Sequence, residues 1–214
     1  SDGTKKYLFF VCCTHRRGLN LACEGRIPES DLETSAVEAV MIPDADRATL
    51  CVSSQAGCKM GCKFCMTGRQ GFHGQLSAAD IISQFIAVDE SDKLTNTVFM
   101  GMGEPLDNYD NVVKFIKLIS AKEGMNISQR NISLSTCGLA DKIKKLADED
   151  LGITLTISLH ATTDEHRKKI MNIAKAVSLK ELFFAIKYYF EKTNRRILFE
   201  YILIIYVICS VKTS

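Results

Sequence analysis

The stretch RATLCVSSQAGCKMGCKFC, residues 47–65, decides the fold. Its first half, Arg47–Ser54, has the apolar and β-branched pattern of a buried strand. Its second half places Cys58, Cys62 and Cys65 in a C-x-x-x-C-x-x-C spacing on a loop just after that strand. Three thiolates on one tight loop can each bind one iron of a [4Fe–4S] cubane and leave the fourth iron open to a substrate. The stretch therefore predicts an iron–sulfur cluster at the end of a strand.

Two other interpretations of these cysteines are open on the residues alone. A structural zinc site needs four ligands, and His73 is the nearby candidate for a fourth. Buried thiols without any metal are the other interpretation, because cysteine also packs as a small apolar residue. The triple spacing at a strand end favours the cluster over both.

The rest of the chain alternates between strand and helix patterns. The predicted strands are Arg47–Ser54, Asn96–Met100, Asn131–Thr136, Ile153–His160 and Arg196–Ile204, and the predicted helices are Ser77–Asp89, Tyr109–Lys122, Ala140–Glu149 and Leu179–Glu191. Such alternation indicates parallel βαβ units, and about five units are too few for a closed eight-stranded barrel. The predicted fold class is α/β, a partial (β/α) barrel that lacks its C-terminal units, with its site at the C-terminal ends of the strands.

Residue 46 is the predicted domain boundary. Residues 47–214 form the barrel core, which we interpret as truncated at the C-terminus because its last strand would leave an uncovered apolar edge. Residues 1–46 form an N-terminal extension with hairpin-like strands. An atypical insert without clear periodicity occupies about residues 10–34 of that extension.

The composition favours a cytoplasmic protein. A formal net charge of +2 over 214 residues gives no strong overall signature of nucleic-acid binding, although local basic patches could still meet RNA. Nine unevenly spaced cysteines without a secretory signal argue against a disulfide framework and for a reducing compartment. The most apolar run, Ile197–Val211, is too short to span a bilayer and contains Glu200. We therefore expect no membrane partner.

A second motif, Gly101-Met-Gly-Glu-Pro105, follows the second predicted strand. Glycine lets a backbone approach a ligand closely, and Glu104 supplies an acceptor for an ammonium group. Taken alone, the motif is equally well a turn. One βα unit after the cysteine loop, it indicates a small-molecule pocket at the same end of the sheet.

Four segments in this order resemble one known family. They are VEAVMIPDADRATLCVSSQAGCKMGCKFCMTGRQGF from Val37, FMGMGEPLDN from Phe99, ISLSTCG from Ile132 and ISLHA from Ile157. Together they resemble the RlmN-like 23S rRNA adenine C2-methyltransferases of the radical S-adenosylmethionine (SAM) superfamily. The likeness covers residues 1–9 and about 37–204 of the chain.

The resemblance implies which residues hold the cofactors. A [4Fe–4S] cluster would be held by Cys58, Cys62 and Cys65. SAM would be contacted by Gly103, Glu104, Ser135, Ser158, Leu159 and His160. Among these, Glu104 matches the residue that accepts from the SAM amino group. Without the resemblance, a histidine at a strand end such as His160 is an ordinary, satisfied structural residue.

Two further residues match positions of acid–base and thiol chemistry in that family. Glu38 is the candidate general base, and Cys51 matches a cysteine that helps to resolve a protein–RNA crosslink. On the residues alone, Glu38 lies on the solvent face of an alternating strand, and Cys51 is a small core residue.

The implied reaction uses two SAM molecules. One methylates a protein cysteine, and the other yields a 5′-deoxyadenosyl radical that activates this methyl group for transfer to C2 of an adenosine in 23S rRNA. Transfer RNA is an open second substrate, and a flavodoxin or ferredoxin would donate the electron. No cysteine matches the methyl-bearing one, and Cys209 is not assigned to it. We therefore expect this chain alone to be inactive in methyl transfer.

Other functions remain open at this stage. A sister family methylates adenine C8 with the same machinery, and Pro105 favours C2 over C8. A truncated cluster-binding remnant without methyl transfer is another alternative. Two basic groups, Lys142–Lys145 and Arg167–Lys169, are interpreted as solvated helix faces rather than phosphate contacts.

Overall fold

A computed structural model describes residues 2–12, 34–45 and 47–203. Most of the predicted insert at residues 10–34, and Cys209, lie outside the described residues. The strands are β1 (Lys5–Cys12), β2 (Thr34–Asp44), β3 (Arg47–Cys51), β4 (Gln55–Gly57), β5 (Phe72–Gln75), β6 (Leu94–Phe99), β7 (Ile132–Thr136), β8 (Thr154–Ser158) and β9 (Ile197–Glu200). The α-helices are α1 (Met66–Gln70), α2 (Ala78–Ile86), α3 (Tyr109–Ser120), α4 (Ala140–Ala147), α5 (Asp164–Ile170) and α6 (Leu179–Thr193).

The main sheet has the strand order β1-β2-β3-β6-β7-β8-β9. Strands β1, β2 and β3 pair antiparallel, whereas β3, β6, β7, β8 and β9 are all parallel. Each parallel strand lies beside the next one along the chain, which is the winding of consecutive βαβ units in a barrel. The predicted α/β class with an open partial barrel is confirmed. The sheet runs without a break from β2 to β3, so the domain boundary at residue 46 stays a prediction.

The two faces of the parallel strands differ in chemistry. One face carries fully buried apolar residues such as Leu50, Phe99, Leu134 and Leu155, which pack in the main core with the helices. Side chains alternate between faces along a strand, so the neighbours of these residues point the other way. That second face is largely polar and carries Thr49, Cys51, Asn96, Ser133, Ser135, Thr154, Thr156, Ser158 and Glu200, with Val98 and Leu198 as apolar members.

Local signals in the sequence explain where the helices begin. Ser77 caps α2 in a capping box with Asp80, and Ser178 caps α6 in the same way with Glu181. The side chain of Thr163 accepts from a backbone N–H in the first turn of α5. No helix in the described part of the chain has the length and apolar character needed to cross a bilayer.

One strand pair and two short helices differ from the predicted elements. The segment after the first predicted strand, expected to be a loop, contains the short antiparallel pair β4–β5 and the five-residue helix α1. Helix α5 was also missed, because its sequence DEHRKKI is short, mostly charged and has no apolar stripe. Strand β3 ends at Cys51 rather than Ser54, since residues 52–54 turn toward the cysteine loop and bond to the loop after β6.

Candidate functional site

The cysteine loop lies between β4 and α1 and folds back on itself. The N–H of Cys58 donates to the carbonyl of Gly71 at 2.7 Å, and the N–H of Cys65 donates to the carbonyl of Cys62 at 3.1 Å. Gly57 has a φ of 73°, and a Cβ there would stand 2.0 Å from the Gly71 oxygen. Only glycine allows this closure. The loop therefore holds its three cysteines within a compact turn, each of them half-buried.

The three thiols lie on the one loop between β4 and α1. Burial raises the pKa of Cys58 and of Cys62 to about 11, and each of these thiols is further affected by the charge of Cys65. Within the described residues, no three His, Cys, Asp or Glu side chains converge on a single metal ion, as structural zinc requires. A cubane places each thiolate on a different iron and does not need such convergence. The three cysteines on one loop are compatible with a cluster of this kind.

The segment from α5 onward supports the cysteine loop from outside. The N–H of Lys63 donates to the carbonyl of Ile170 at 2.9 Å, and the side-chain amide of Asn172 donates to the carbonyl of Gly61 at 3.0 Å. Cys62 and neighbouring loop residues also pack on a small apolar cluster formed by Cys137, Ile170 and Met171. The loop is thus bonded to the residues that follow β8, although they are over a hundred positions away.

The Gly101–Pro105 turn is bonded to the entry of the cysteine loop through Gln55. The side-chain oxygen of Gln55 accepts from the N–H of Glu104 at 2.8 Å, and its amide nitrogen donates to Asp107 at 2.7 Å. Gly103 has a φ of 99°, and a Cβ there would stand 2.5 Å from the Gln55 Cβ. Sequence analysis did not single out Gln55, which places the two predicted binding motifs side by side.

Glu104 is a buried carboxylate that already has three donors. Its oxygens accept from the Thr136 hydroxyl at 2.7 Å, the Cys137 N–H at 2.8 Å and the Leu106 N–H at 3.0 Å. Burial raises the pKa of Glu104, and these hydrogen bonds oppose the rise. A carboxylate can accept about four hydrogen bonds, so there is room for roughly one more donor. An ammonium group would take that position or displace the Thr136 hydroxyl.

Three polar side chains meet at the carboxyl ends of β7, β8 and β9. The hydroxyls of Ser135 and Ser158 donate to the same carboxylate oxygen of Glu200, at 3.1 and 2.9 Å. The structure therefore brings together the two predicted serines. Glu200 was not predicted as a site residue, although a charged residue inside the most apolar run of the chain could have indicated one.

His160 and Leu159 follow β8 at this same edge. The backbone of His160 is left-handed, with a φ of 56°, and its ring contacts the Phe64 ring edge-on at a centroid distance of 5.0 Å. Phe64 lies on the cysteine loop, so His160 links β8 to that loop. Burial lowers the pKa of His160. Leu159 takes part through its backbone, because its carbonyl accepts from Arg167 at 3.3 Å.

Glu38 and Cys51 lie on the polar face but nearer the antiparallel strands. Val40 is the register partner of Cys51, and Glu38 is two positions before Val40, so Glu38 and Cys51 share one face. The Glu38 carboxylate is about half exposed and forms an ion pair with Lys6 at 2.6 Å. Cys51 is half-buried, and burial raises the pKa of its thiol.

The prediction that residues Arg167–Lys169 form a solvated helix face is partly wrong. Lys168 and Lys169 are exposed on α5 as expected, but Arg167 is fully buried. Its guanidinium reaches inward and donates to the carbonyl of Cys137 at 2.6 Å. The sequence DEHRKKI does not separate these three cations, because on a short polar helix no apolar stripe marks the inward side.

Several buried polar atoms at this edge of the sheet have no partner among the described residues. They are the Thr156 hydroxyl, Nδ1 of His160 and Nη1 of Arg167. Three further unpartnered atoms, on Ser120, Tyr189 and Arg195, lie elsewhere. Buried polar atoms are nearly always hydrogen-bonded, so those beside the cysteine loop leave room for a polar ligand. The residues present are therefore compatible with a polar cofactor beside the cysteine loop.

A parallel open barrel with three cysteines on the first βα loop defines a radical SAM protein. The family model described as the Radical SAM superfamily matches residues 52–207, and the chain belongs to that superfamily. More particularly, it is similar to proteins described as "Probable dual-specificity RNA methyltransferase RlmN". The one from Clostridium novyi (strain NT) is 49% identical over 170 residues, which is 78% of this chain and 50% of that protein.

Two further comparisons extend this similarity. The protein of the same description from Clostridium botulinum (strain Alaska E43 / Type E3) is 44% identical over 95% of this chain and 53% of its own length. A crystal structure of a radical SAM methyltransferase from Sphaerobacter thermophilus matches with a TM-score of 0.78 and 38% identity, over 81% of this chain and 52% of that one. The chain spans about half the length of the curated relatives it matches.

Proposed function

We propose that this chain is the cluster- and SAM-binding core of an RNA methyltransferase that acts on C2 of an adenosine in 23S rRNA, with transfer RNA as a second substrate. The observation that carries the proposal is the link between the cysteine loop and the buried Glu104, whose N–H donates at 2.8 Å to the side chain of Gln55 at the entry of that loop. Cys62 packs on the cluster that contains Cys137, and the N–H of Cys137 donates to the Glu104 carboxylate at 2.8 Å. The description of the similar proteins as dual-specificity RNA methyltransferases supports the choice of substrate.

The proposed cofactors follow from the donor set. Cys58, Cys62 and Cys65 would hold a [4Fe–4S] cluster, which when bound supplies the electron for reductive cleavage of SAM. The predicted SAM contacts lie along the ends of β6, β7 and β8 and comprise Gly103, Glu104, Ser135, Ser158, Leu159 and His160. A reduced flavodoxin or ferredoxin is the proposed electron donor.

The chain's own residues would bind and orient the reactants. Glu104 would accept from the SAM ammonium, and Ser135 and Ser158 would present hydroxyls beside Glu200. Glu38 would accept the proton from adenine C2, and its half-exposed carboxylate is open to a substrate once the Lys6 ion pair is released. Cys51 shares that face and is the proposed thiol for resolution of the RNA adduct.

The first experiment tests the cluster and SAM chemistry. Anaerobic reconstitution of the 214-residue chain should load about four irons per chain, and dithionite with SAM should then yield 5′-deoxyadenosine. Cys62→Ala should lose both the iron–sulfur absorbance and the 5′-deoxyadenosine. The matched control is Cys51→Ala, which removes a thiol outside the loop and should keep the iron. Stoichiometric zinc in place of iron would overturn the proposal.

The second experiment tests the substrate. An unmodified 23S rRNA fragment that contains the target adenosine should bind more tightly than DNA of the same sequence, measured by filter binding. With labelled SAM, we expect no methylated adenosine from this chain alone, because no cysteine matches the methyl-bearing one. Label at C2 would show that expectation wrong, and label at C8 would replace the proposed specificity. Equal binding of RNA and DNA would count against an RNA substrate.

A further inference from the structure

Arg167 is a fully buried cation at the carboxyl edge of the sheet. Its Nη2 donates to the carbonyl of Cys137 at 2.6 Å, and its Nε donates to the carbonyl of Leu159 at 3.3 Å. These carbonyls follow the ends of β7 and β8, so the guanidinium spans two neighbouring strand ends. Arginine keeps its charge in proteins even where burial lowers its pKa, as it does here.

This charge lacks a carboxylate partner among the described residues. In the part of the chain that the structure describes, no ion pair within 4.0 Å includes Arg167, and its Nη1 has no hydrogen-bond partner. Asp164 influences it only at longer range, and that carboxylate accepts from the Leu179 N–H instead. An isolated buried cation is strongly unfavourable unless an anion compensates it. Among the described residues, no carboxylate lies within ion-pair distance of this charge, so the position suits a further negative group.

The cysteine loop is the neighbour that can supply it. Cys62 packs on the apolar cluster of Cys137, Ile170 and Met171, which lies at the end of α5 beside Arg167. The carbonyl that accepts from Arg167 belongs to Cys137, a member of the same cluster on which Cys62 packs. The N–H of Lys63 donates to the Ile170 carbonyl, which keeps this side of the loop against α5.

We propose that Arg167 is the buried counter-charge of the iron–sulfur cluster and that it makes the cluster easier to reduce. Three thiolates give a [4Fe–4S] cluster a net negative charge, which grows by one when it accepts one electron. A fixed cation in a low-dielectric interior stabilises the more negative, reduced form. The inference rests on the proposed function, because it requires a cluster on Cys58, Cys62 and Cys65. Arg167 is a tuning residue and does not touch the reacting atoms.

The test is the midpoint potential of the reconstituted chain, titrated with dithionite and redox mediators and followed by electron paramagnetic resonance. Each titrated cluster takes up one electron, and the dithionite is oxidised. Arg167→Gln removes the charge but keeps an amide donor for one carbonyl. We expect its cluster to be about tenfold harder to reduce at a given potential, a shift of about 59 mV to more negative values. Arg167→Lys, which keeps the charge, should stay near the wild-type potential.

The control is Lys168→Gln, which removes the same charge from the exposed next position on α5 and should leave the potential unchanged. A fully loaded Arg167→Gln variant with the wild-type potential would overturn the inference. If Arg167→Gln does not load iron, the test rests on Arg167→Lys. Loading of Arg167→Lys with the wild-type potential supports the counter-charge role. Failure of Arg167→Lys to load iron shows that the guanidinium has a purely structural role. A wild-type chain without a cluster would overturn both this inference and the proposed function.

Discussion

The two faces of the parallel sheet are formed by the same strands, but one packs in the apolar core and the other carries polar side chains. In β7 the side chain of Leu134 is fully buried toward the helices, whereas its neighbours Ser133 and Ser135 lie on the polar face. The helix-covered face is filled by close-packed apolar side chains, so a substitution that deletes buried volume there lowers stability. The polar face ends at the cysteine loop and presents hydroxyls and carboxylates. Because successive side chains of a strand point to opposite faces, the residues that stabilise the fold alternate along each strand with those that face the site.

The largest expected effect is on the helix-covered face. Leu134→Ala should lower the free energy of unfolding by about 2–5 kcal/mol, because it deletes buried methyl groups and leaves a cavity. Its neighbour Ser133 serves as the matched position on the other face, and Ser133→Ala should change stability by about 0.5 kcal/mol or less. Urea unfolding of both variants measures the contrast. Similar losses in the two variants would break the distinction between the faces.

The second prediction concerns Glu104, a polar residue at this edge of the sheet that is as buried as many core residues. Burial raises its folded-state pKa, so the folded chain binds this proton more tightly than the unfolded chain does. Its contribution to stability is fully present below the unfolded pKa near 4.5 and is lost as the pH rises through the folded pKa. Relative to Glu104→Gln, the wild type should therefore lose stability as the pH rises from 4.5, by at most about 1.4 kcal/mol per unit.

Urea unfolding of the cluster-free chain at several pH values measures this effect. The control is Glu165→Gln on α5, where a hydrogen bond from Lys169 lowers the pKa of an exposed carboxylate. The contribution of Glu165 is present above its unfolded pKa and lost as the pH falls, so its profile should slope the other way. Parallel profiles for the wild type and Glu104→Gln would show that the hydrogen bonds to Glu104 cancel the effect of burial.

The sequence predicts the helix-covered face better than the polar one. Apolar periodicity placed β6, β7, β8 and α3 within a few residues, because burial selects for repeated apolar positions. Motif spacing placed the cysteine loop and the Gly101–Pro105 turn at the same edge. Gln55, Arg167 and Glu200 were missed as site residues, since their importance comes from partners 30 or more positions away. Apolar periodicity identifies the buried face of a helix or strand, but it does not show which polar group, distant in sequence, a side chain contacts.

The smallest expected effect is at Ser135 and Ser158, which test whether the polar face binds a ligand. Each alanine variant removes one neutral hydroxyl that now donates to Glu200. We expect either one to weaken SAM binding by about 2- to 10-fold, the range for one hydrogen bond worth about 0.5–1.5 kcal/mol. Ser83→Ala deletes the same group from an exposed position of α2 and should leave affinity unchanged. Calorimetry on the reconstituted chain gives the affinities. If all three variants bind SAM equally, the polar face is only a lining of the sheet, and the cofactor is held by the loops alone.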